Sequence, residues 1–215
     1  IIYGILGLLP TLIVSGIMLQ IEHFFIRFLP VIFICAILIG LFFISFKTLI
    51  TVLTIFSKIV QILGYVFFFL LCLTFFFNMN FTNMTLIDEA LHIVFQMSII
   101  VCGSLVFCEI ILRNFSKQIE KAGKILQIDK YSVMGIILSF GTSIAMLPLF
   151  PKMNKKGKIL NAAFSLSGAF VFGGQLGFIA SVNPQSVTWF IVVKITGGLL
   201  GIFIANIFEK QSVTQ

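Results

Sequence analysis

The sequence predicts an all-α integral membrane protein. Three observations carry that expectation: six uncharged runs at or near bilayer-crossing length, charges confined to the segments between them, and a composition that is 60% hydrophobic with a mean hydropathy of +1.18. The hydrocarbon core takes roughly 20 helical residues to cross. The runs are 1–21, 28–46, 59–87, 90–108, 131–151 and 159–193, so about six transmembrane helices are expected, together with a broken or re-entrant segment at 131–151. The chain has no initiator Met and starts inside an apolar run without a basic flank, so it reads as a fragment.

Taken in order, residues 1–112 are expected to hold four transmembrane helices. Within them, 47–58 is too short to span twice and carries Thr48, Thr51, Thr54 and Ser57 at helical spacing, which predicts a short cytoplasmic surface helix. Residues 113–130 form a basic linker in which Phe115, Ile119, Ala122 and Leu126 make an apolar stripe opposite the lysines, as for a helix in the headgroup layer. Residues 131–208 hold the broken segment and two helices, and 209–215 are a tail.

Orientation follows from Lys and Arg, which cytoplasmic loops keep in excess. Nine of the fourteen basic residues fall in two loops: Arg113, Lys117, Lys121, Lys124 and Lys130 in the first, and Lys152, Lys155, Lys156 and Lys158 in the second. Both are expected to be cytoplasmic. The linker 78–89 has no basic residue, is rich in Asn and Thr and ends in Asp88-Glu89, so it belongs outside, as does the connection 20–27. Asn80-Phe81-Thr82 and Asn83-Met84-Thr85 match the glycosylation pattern there, which matters only in a secretory host.

The segment 131–151 has basic loops at both ends, although it is long enough to cross. A hairpin that enters and leaves on one side resolves the conflict, and Gly135, Gly141-Thr142-Ser143, Pro148 and Pro151 supply the interruptions it needs. A kinked full crossing is the alternative, and it would move the tail outside.

Polar residues crowd the last 80 positions. Thr142, Ser143, Asn161, Ser165, Ser167, Gln175, Ser181, Lys194, Thr196 and Asn206 interleave with Gly168, Gly173-Gly174, Gly177, Gly197-Gly198 and Gly201. Small residues let helices approach closely, and polar ones within a membrane tend to line a path or a site. Candidate substrate-binding residues are Thr142, Ser143, Asn161, Gln175 and Lys194. Candidate helix-break residues are Gly141, Gly173, Gly174 and Gly177, because three glycines in the five residues 173–177 permit a broken helix whose backbone can coordinate a solute. A glycine packing face is the competing explanation. An i,i+4 ion pair is expected between Glu109 and Arg113.

Other chemistry is poorly served. The four cysteines lie inside apolar runs without C-x-x-C spacing, so no disulfide framework, metal site or cofactor is expected. Paired carboxylates and an activated nucleophile are missing, so an enzyme is not expected. The net charge of +7 matches cytoplasmic loops meeting anionic lipid and needs no nucleic acid.

Four blocks then carry a resemblance: Lys121-Ala122-Gly123-Lys124-Ile125-Leu126, Met153-Asn154-Lys155-Lys156-Gly157-Lys158-Ile159-Leu160-Asn161-Ala162-Ala163-Phe164, Gly173-Gly174-Gln175-Leu176-Gly177-Phe178, and Lys194-Ile195-Thr196-Gly197-Gly198. In order and spacing they resemble the ethanolamine permease (EutH) family across about residues 100–205, its C-terminal half. The resemblance implies a multi-pass carrier of the bacterial inner membrane that takes up ethanolamine, a small amino alcohol. Its other partners would be the lipid bilayer, the missing N-terminal half of the same protein and other copies in a homo-oligomer. This chain has Gly174-Gln175 where the family has Asp-His, and Thr142-Ser143 where the family has Asn-Asn. Since ethanolamine is a cation at neutral pH, losing that Asp opens the substrate to a related amine or a neutral polar solute. An inactive or accessory subunit that keeps the fold without the site is the alternative to a carrier.

Overall fold

The computed structural model describes residues 2–18, 24–77 and 83–213. The Asn80 glycosylation match and residues 20–23 of the 20–27 connection lie outside them, as do residues 214–215 of the tail. The described residues are mostly helical, with no strand among them. The chain divides into two compact units, residues 23–92 and residues 1–22 with 93–215.

The first unit holds α2 (Phe24–Ile44), α3 (Phe46–Phe77) and the start of α4 (Met84–Asn114). The expected surface helix at 47–58 does not stand apart: it continues without a break into 59–77 as a single helix of 32 residues. No Pro or Gly interrupts α3 before Gly64. The threonines that suggested a polar surface bond back to their own helix, Thr51 Oγ1 to Lys47 O at 2.9 Å and Thr54 Oγ1 to Ile50 O at 2.7 Å, which hides their hydroxyls from an apolar surrounding. Almost every large side chain of α3 from Val52 to Phe69 is exposed, as befits a helix whose neighbour is lipid.

In the second unit, α1 (Ile2–Met18), α8 (Lys155–Ser167) and α10 (Val187–Val213) pack on one another. Leu160, Ala163, Phe164, Ile202 and Ala205 form its core together with Ile119, Ile128 and Val133. Lipid is as apolar as these side chains, so the helices are held less by the hydrophobic effect than by close contact. Glycine provides that contact. Gly198 and Gly168 face each other so tightly that a Cβ on Gly198 would stand 2.8 Å from the Gly168 Cα, and a Cβ on Gly7 would stand 2.6 Å from the Gly201 N.

The amphipathic linker is realised as α5 (Ser116–Leu126), but its stripe faces protein: Ile119 is buried and Ala122 and Leu126 are half-buried against the core, while Phe115, just before the helix, is exposed. The expected Glu109–Arg113 pair is present at 2.7 Å on the exposed surface. Three helices among the described residues are long and apolar enough to cross a membrane, Lys47–Phe77, Thr85–Asn114 and Pro184–Glu209, and Tyr3–Ile13 and Phe28–Phe43 are shorter apolar helices.

Candidate functional site: two broken helices that cross

The segment 131–151 folds back on itself. Helix α6 (Lys130–Gly141) stops at Thr142, whose extended backbone (φ −157°, ψ 131°) ends one helix and caps the next, the single turn α7 (Ser143–Met146). A 3-10 segment, Leu147–Lys152, then leads to Asn154 at the start of α8. Both ends of the segment meet: Asn154 N–H donates to the Asp129 carboxylate at 3.1 Å, and Lys152 Nζ stands 5.6 Å from the centre of the Tyr131 ring.

The second break runs through residues 168–173, between α8 and α9 (Gly174–Val182). It lies directly on the first. Phe170 N–H donates to Ser139 O and Phe172 N–H to Phe140 O, both at 2.9 Å, so the last carbonyls of α6 satisfy amides that the second break sets free. Phe170 adopts a left-handed backbone (φ 62°), a strained state for a bulky residue that costs on the order of 1–3 kcal/mol. Gly173 is required at the contact point, because a Cβ there would be 2.0 Å from Gly141 O.

Helix α4 closes one side of this crossing. The Ser104 hydroxyl lies 2.8 Å from where a Gly141 Cβ would be, and Gly177 lies against the Met97 backbone. Cys108 Sγ donates to Ile137 O at 3.3 Å, and the single proton of Ser181 Oγ has two acceptors in reach, Gln96 Oε1 and Gly177 O.

Among the sequence candidates, Gly141, Thr142, Ser143, Gly173 and Gly174 come together at the crossing. Thr142 Oγ1 accepts from Ile144 N–H at 3.3 Å and so caps α7. Gln175 is exposed at the mouth of an apolar groove of about 340 Å³ shared with Met97, Phe178, Ile179 and Phe190. Gly177, expected in the break, is instead inside α9 and serves its packing on α4.

Asn161 sits apart, fully buried between α6 and α8. Its Nδ2 donates to Ser132 O and Gly157 O, both at 2.9 Å, while its Oδ1 is buried without a partner. Lys194 is half-buried on α10, and among the described residues no hydrogen bond or ion pair ties it to Thr142 or Gln175. The reading from sequence missed Gln96, Met97 and Ser104. For Gln96 and Ser104 the signal was their spacing with Cys108, eight and then four residues, which puts them on one side of an otherwise apolar helix; Met97 had none.

The crossing offers hydroxyls (Thr142, Ser143, Ser104) and the first amides of α9, which has no side-chain cap, with the Gln175 amide beyond it at the apolar groove. It offers dipoles and no formal charge. No group of three or more His, Cys, Asp or Glu that could hold a metal ion occurs among the described residues.

Comparison with known proteins gives the family. The family model described as "Ethanolamine utilisation protein, EutH" matches residues 1–208. The "Probable ethanolamine permease EutH" of Listeria monocytogenes serotype 1/2a (strain 10403S) is 33% identical over 130 residues, 59% of this chain and 35% of that protein. "Uncharacterized protein YxeR" of Bacillus subtilis (strain 168) is 33% identical over 102 residues, 47% of this chain and 28% of that protein. The Salmonella typhimurium (strain LT2) "Probable ethanolamine permease EutH" is 28% identical over 117 residues, 54% of this chain and 29% of that protein. The matched region spans about a third of the length of these relatives. No solved structure matches the chain. With the family model matched over nearly its whole length, the chain belongs to the EutH family of ethanolamine utilisation proteins.

Proposed function

We propose that the protein is a carrier that moves a small polar solute, ethanolamine or a related amine, across the bacterial inner membrane, and that it performs no chemical conversion. The observation that carries this reading is the crossing of the two breaks, with Phe170 and Phe172 bonded to the end of α6. Irregular backbone at membrane depth is tolerated only where protein buries it or where it lines a polar cavity, and paired discontinuous helices are how many carriers build a solute site at mid-membrane. On this reading Thr142 and Ser143 on one break and Gln175 beyond the other contact the solute, and α9 moves against α4. The remainder of the longer protein completes the site.

A second reading, a subunit that keeps the fold without binding the solute, is favoured by Gly174 and Gln175, which stand where the resembling family has Asp and His. Radiolabelled ethanolamine uptake into liposomes containing the full-length protein separates the two. Uptake that saturates and falls in Thr142→Ala and Ser143→Ala supports the carrier, and its absence supports the second reading. Position 174 has room for a side chain, since a Cβ there would meet only the Met97 Cε at 3.3 Å and a Val101 methyl at 3.7 Å. Gly174→Asp with Gln175→His is therefore expected to create or strengthen ethanolamine uptake if the substrate has drifted.

A further inference from the structure

The two basic loops, separate in sequence, are one surface in the fold. Asn154 N–H donates to the Asp129 carboxylate at 3.1 Å, Lys156 Nζ donates to Gln127 Oε1 at 3.4 Å, and Lys152 stands over Tyr131. Lys124, Lys130, Lys152 and Lys156 thereby gather around the turn that joins α5 to α6. Beside that turn lies an open cavity of about 340 Å³ lined by Ile119, Glu120, Gly123, Lys124, Gln127, Ile128 and Lys130, with two lysines against one carboxylate.

The outward face of α5 also carries Ile125, 71% exposed, next to Lys124 and one turn beyond Lys121. The helix already buries its apolar stripe against protein, so Ile125 is a second apolar element presented among ammonium groups. An apolar side chain flanked by lysines suits the boundary between headgroups and acyl chains better than bulk water.

We propose that this joined patch seats an anionic phospholipid of the cytoplasmic leaflet, with Lys124 and Lys130 on the headgroup phosphate and Ile125 against the upper acyl chain. The charge complementarity argues for lipid over a soluble anion, because the seat is built on an amphipathic helix whose exposed apolar residue has no use in water. A lipid held there ties α5 to the membrane plane beside the Asp129–Asn154 junction that closes the broken segment. The proposal does not depend on what the crossing transports.

The test compares the full-length protein extracted from bilayers of phosphatidylcholine, alone or mixed equally with phosphatidylglycerol, with retained lipid counted by native mass spectrometry. The unaltered protein is expected to retain phosphatidylglycerol in preference. Lys124→Gln with Lys130→Gln should lower that preference at least about 5-fold, from roughly a factor of five per lysine near an anionic surface, and Lys124→Arg with Lys130→Arg should keep it. Lys47→Gln with Lys58→Gln, on α3, should also keep it. Equal retention of the two lipids by the unaltered protein overturns the proposal, as does full retention by the double Gln variant. Release of the phosphatidylglycerol by inorganic phosphate in the buffer would assign the seat to a soluble anion and overturn it equally.

Discussion

Two glycine-rich regions of this protein look alike in sequence and differ in structure. Along the α1–α8–α10 seam, Gly7, Gly168, Gly198 and Gly201 lie inside or at the ends of helices and bring backbones into contact, with Ser167 Oγ donating to Gly197 O at 3.0 Å across the seam. At the crossing, Gly141 is the last residue of α6 and Gly173 the residue from which α9 starts, and the amides that the second break sets free are satisfied by the end of α6. The seam needs its glycines for the volume they lack. The crossing needs Gly173 for the same reason, but it also leaves hydroxyls and α9 amides outside any regular ladder. Under the proposed function, a polar, glycine-rich stretch contributes to a solute site where the helix itself is interrupted and packs helices together where it is not.

The comparison breaks most visibly on alanine substitutions. Gly198→Ala puts a Cβ 2.5 Å from the Phe164 ring and 2.8 Å from the Gly168 Cα, so the seam must open. A loss of about 1–3 kcal/mol is expected, read as a lower unfolding temperature in detergent, with uptake falling only as folded protein falls. Gly174→Ala meets only the flexible end of Met97 and a Val101 methyl. Gly174 is the first residue of α9, where the interior preference of about 1 kcal/mol for alanine over glycine is only partly felt, so the change is expected to be neutral or slightly stabilising. Equal destabilisation by the two would erase the distinction between seam and crossing.

Thr142→Ala sharpens the contrast from the other side. It removes the cap on α7 and should cost about 1 kcal/mol of stability, yet under the proposed function it should depress uptake more than the amount of folded protein. Ser167→Ala loses a bond of comparable geometry, expected to cost about 0.6 kcal/mol in a membrane setting, and should leave uptake per folded molecule unchanged. If Ser167→Ala impaired uptake as strongly as Thr142→Ala, the passage would run through the seam.

Much of this was legible in the sequence, and the reasons for the rest are physical. Hydropathy identified the apolar helices and the break at Gly141-Thr142-Ser143, since charge and helix-breaking residues act locally. It misjudged 47–58, because threonines that bond back to their own helix look polar in a list and apolar in a fold. It placed the second break a few residues late: Gly173 and Gly174 end it, but the chain leaves the helix at Gly168, and the cue is the pairing of 170 and 172 with α6, which no local pattern encodes. Asn161 drew attention as a polar residue at membrane depth. Its amide instead clamps α6 to α8, a role set by residues 29 positions away in sequence. Ser104 and Gln96 were overlooked because single polar residues in an apolar helix gain meaning only once a neighbour is known.

The smallest effect expected at neutral pH lies at the closed end of the broken segment. Burial raises the Asp129 carboxyl, but hydrogen bonds from Ser132 Oγ and Asn154 N–H outweigh it and hold the group below its ordinary value of 3.8. A carboxyl whose folded pKa is depressed contributes stability that is present above the unfolded pKa and lost as pH falls through the folded one. Stability should therefore be flat from neutral pH down to about 5 and decline below about 4, where protonation removes charge from the acceptor that joins the two ends of 131–151. Asp129→Asn should be less stable than the unaltered protein at pH 7 and should lack this part of the acid decline, a difference that thermal unfolding followed at several pH values would resolve. The same variant tests whether the junction matters to the crossing. Thr142 lies a full helix away from Asp129, so uptake lost beyond the loss of folded protein would mean that α6 transmits the position of its anchored end to its broken one.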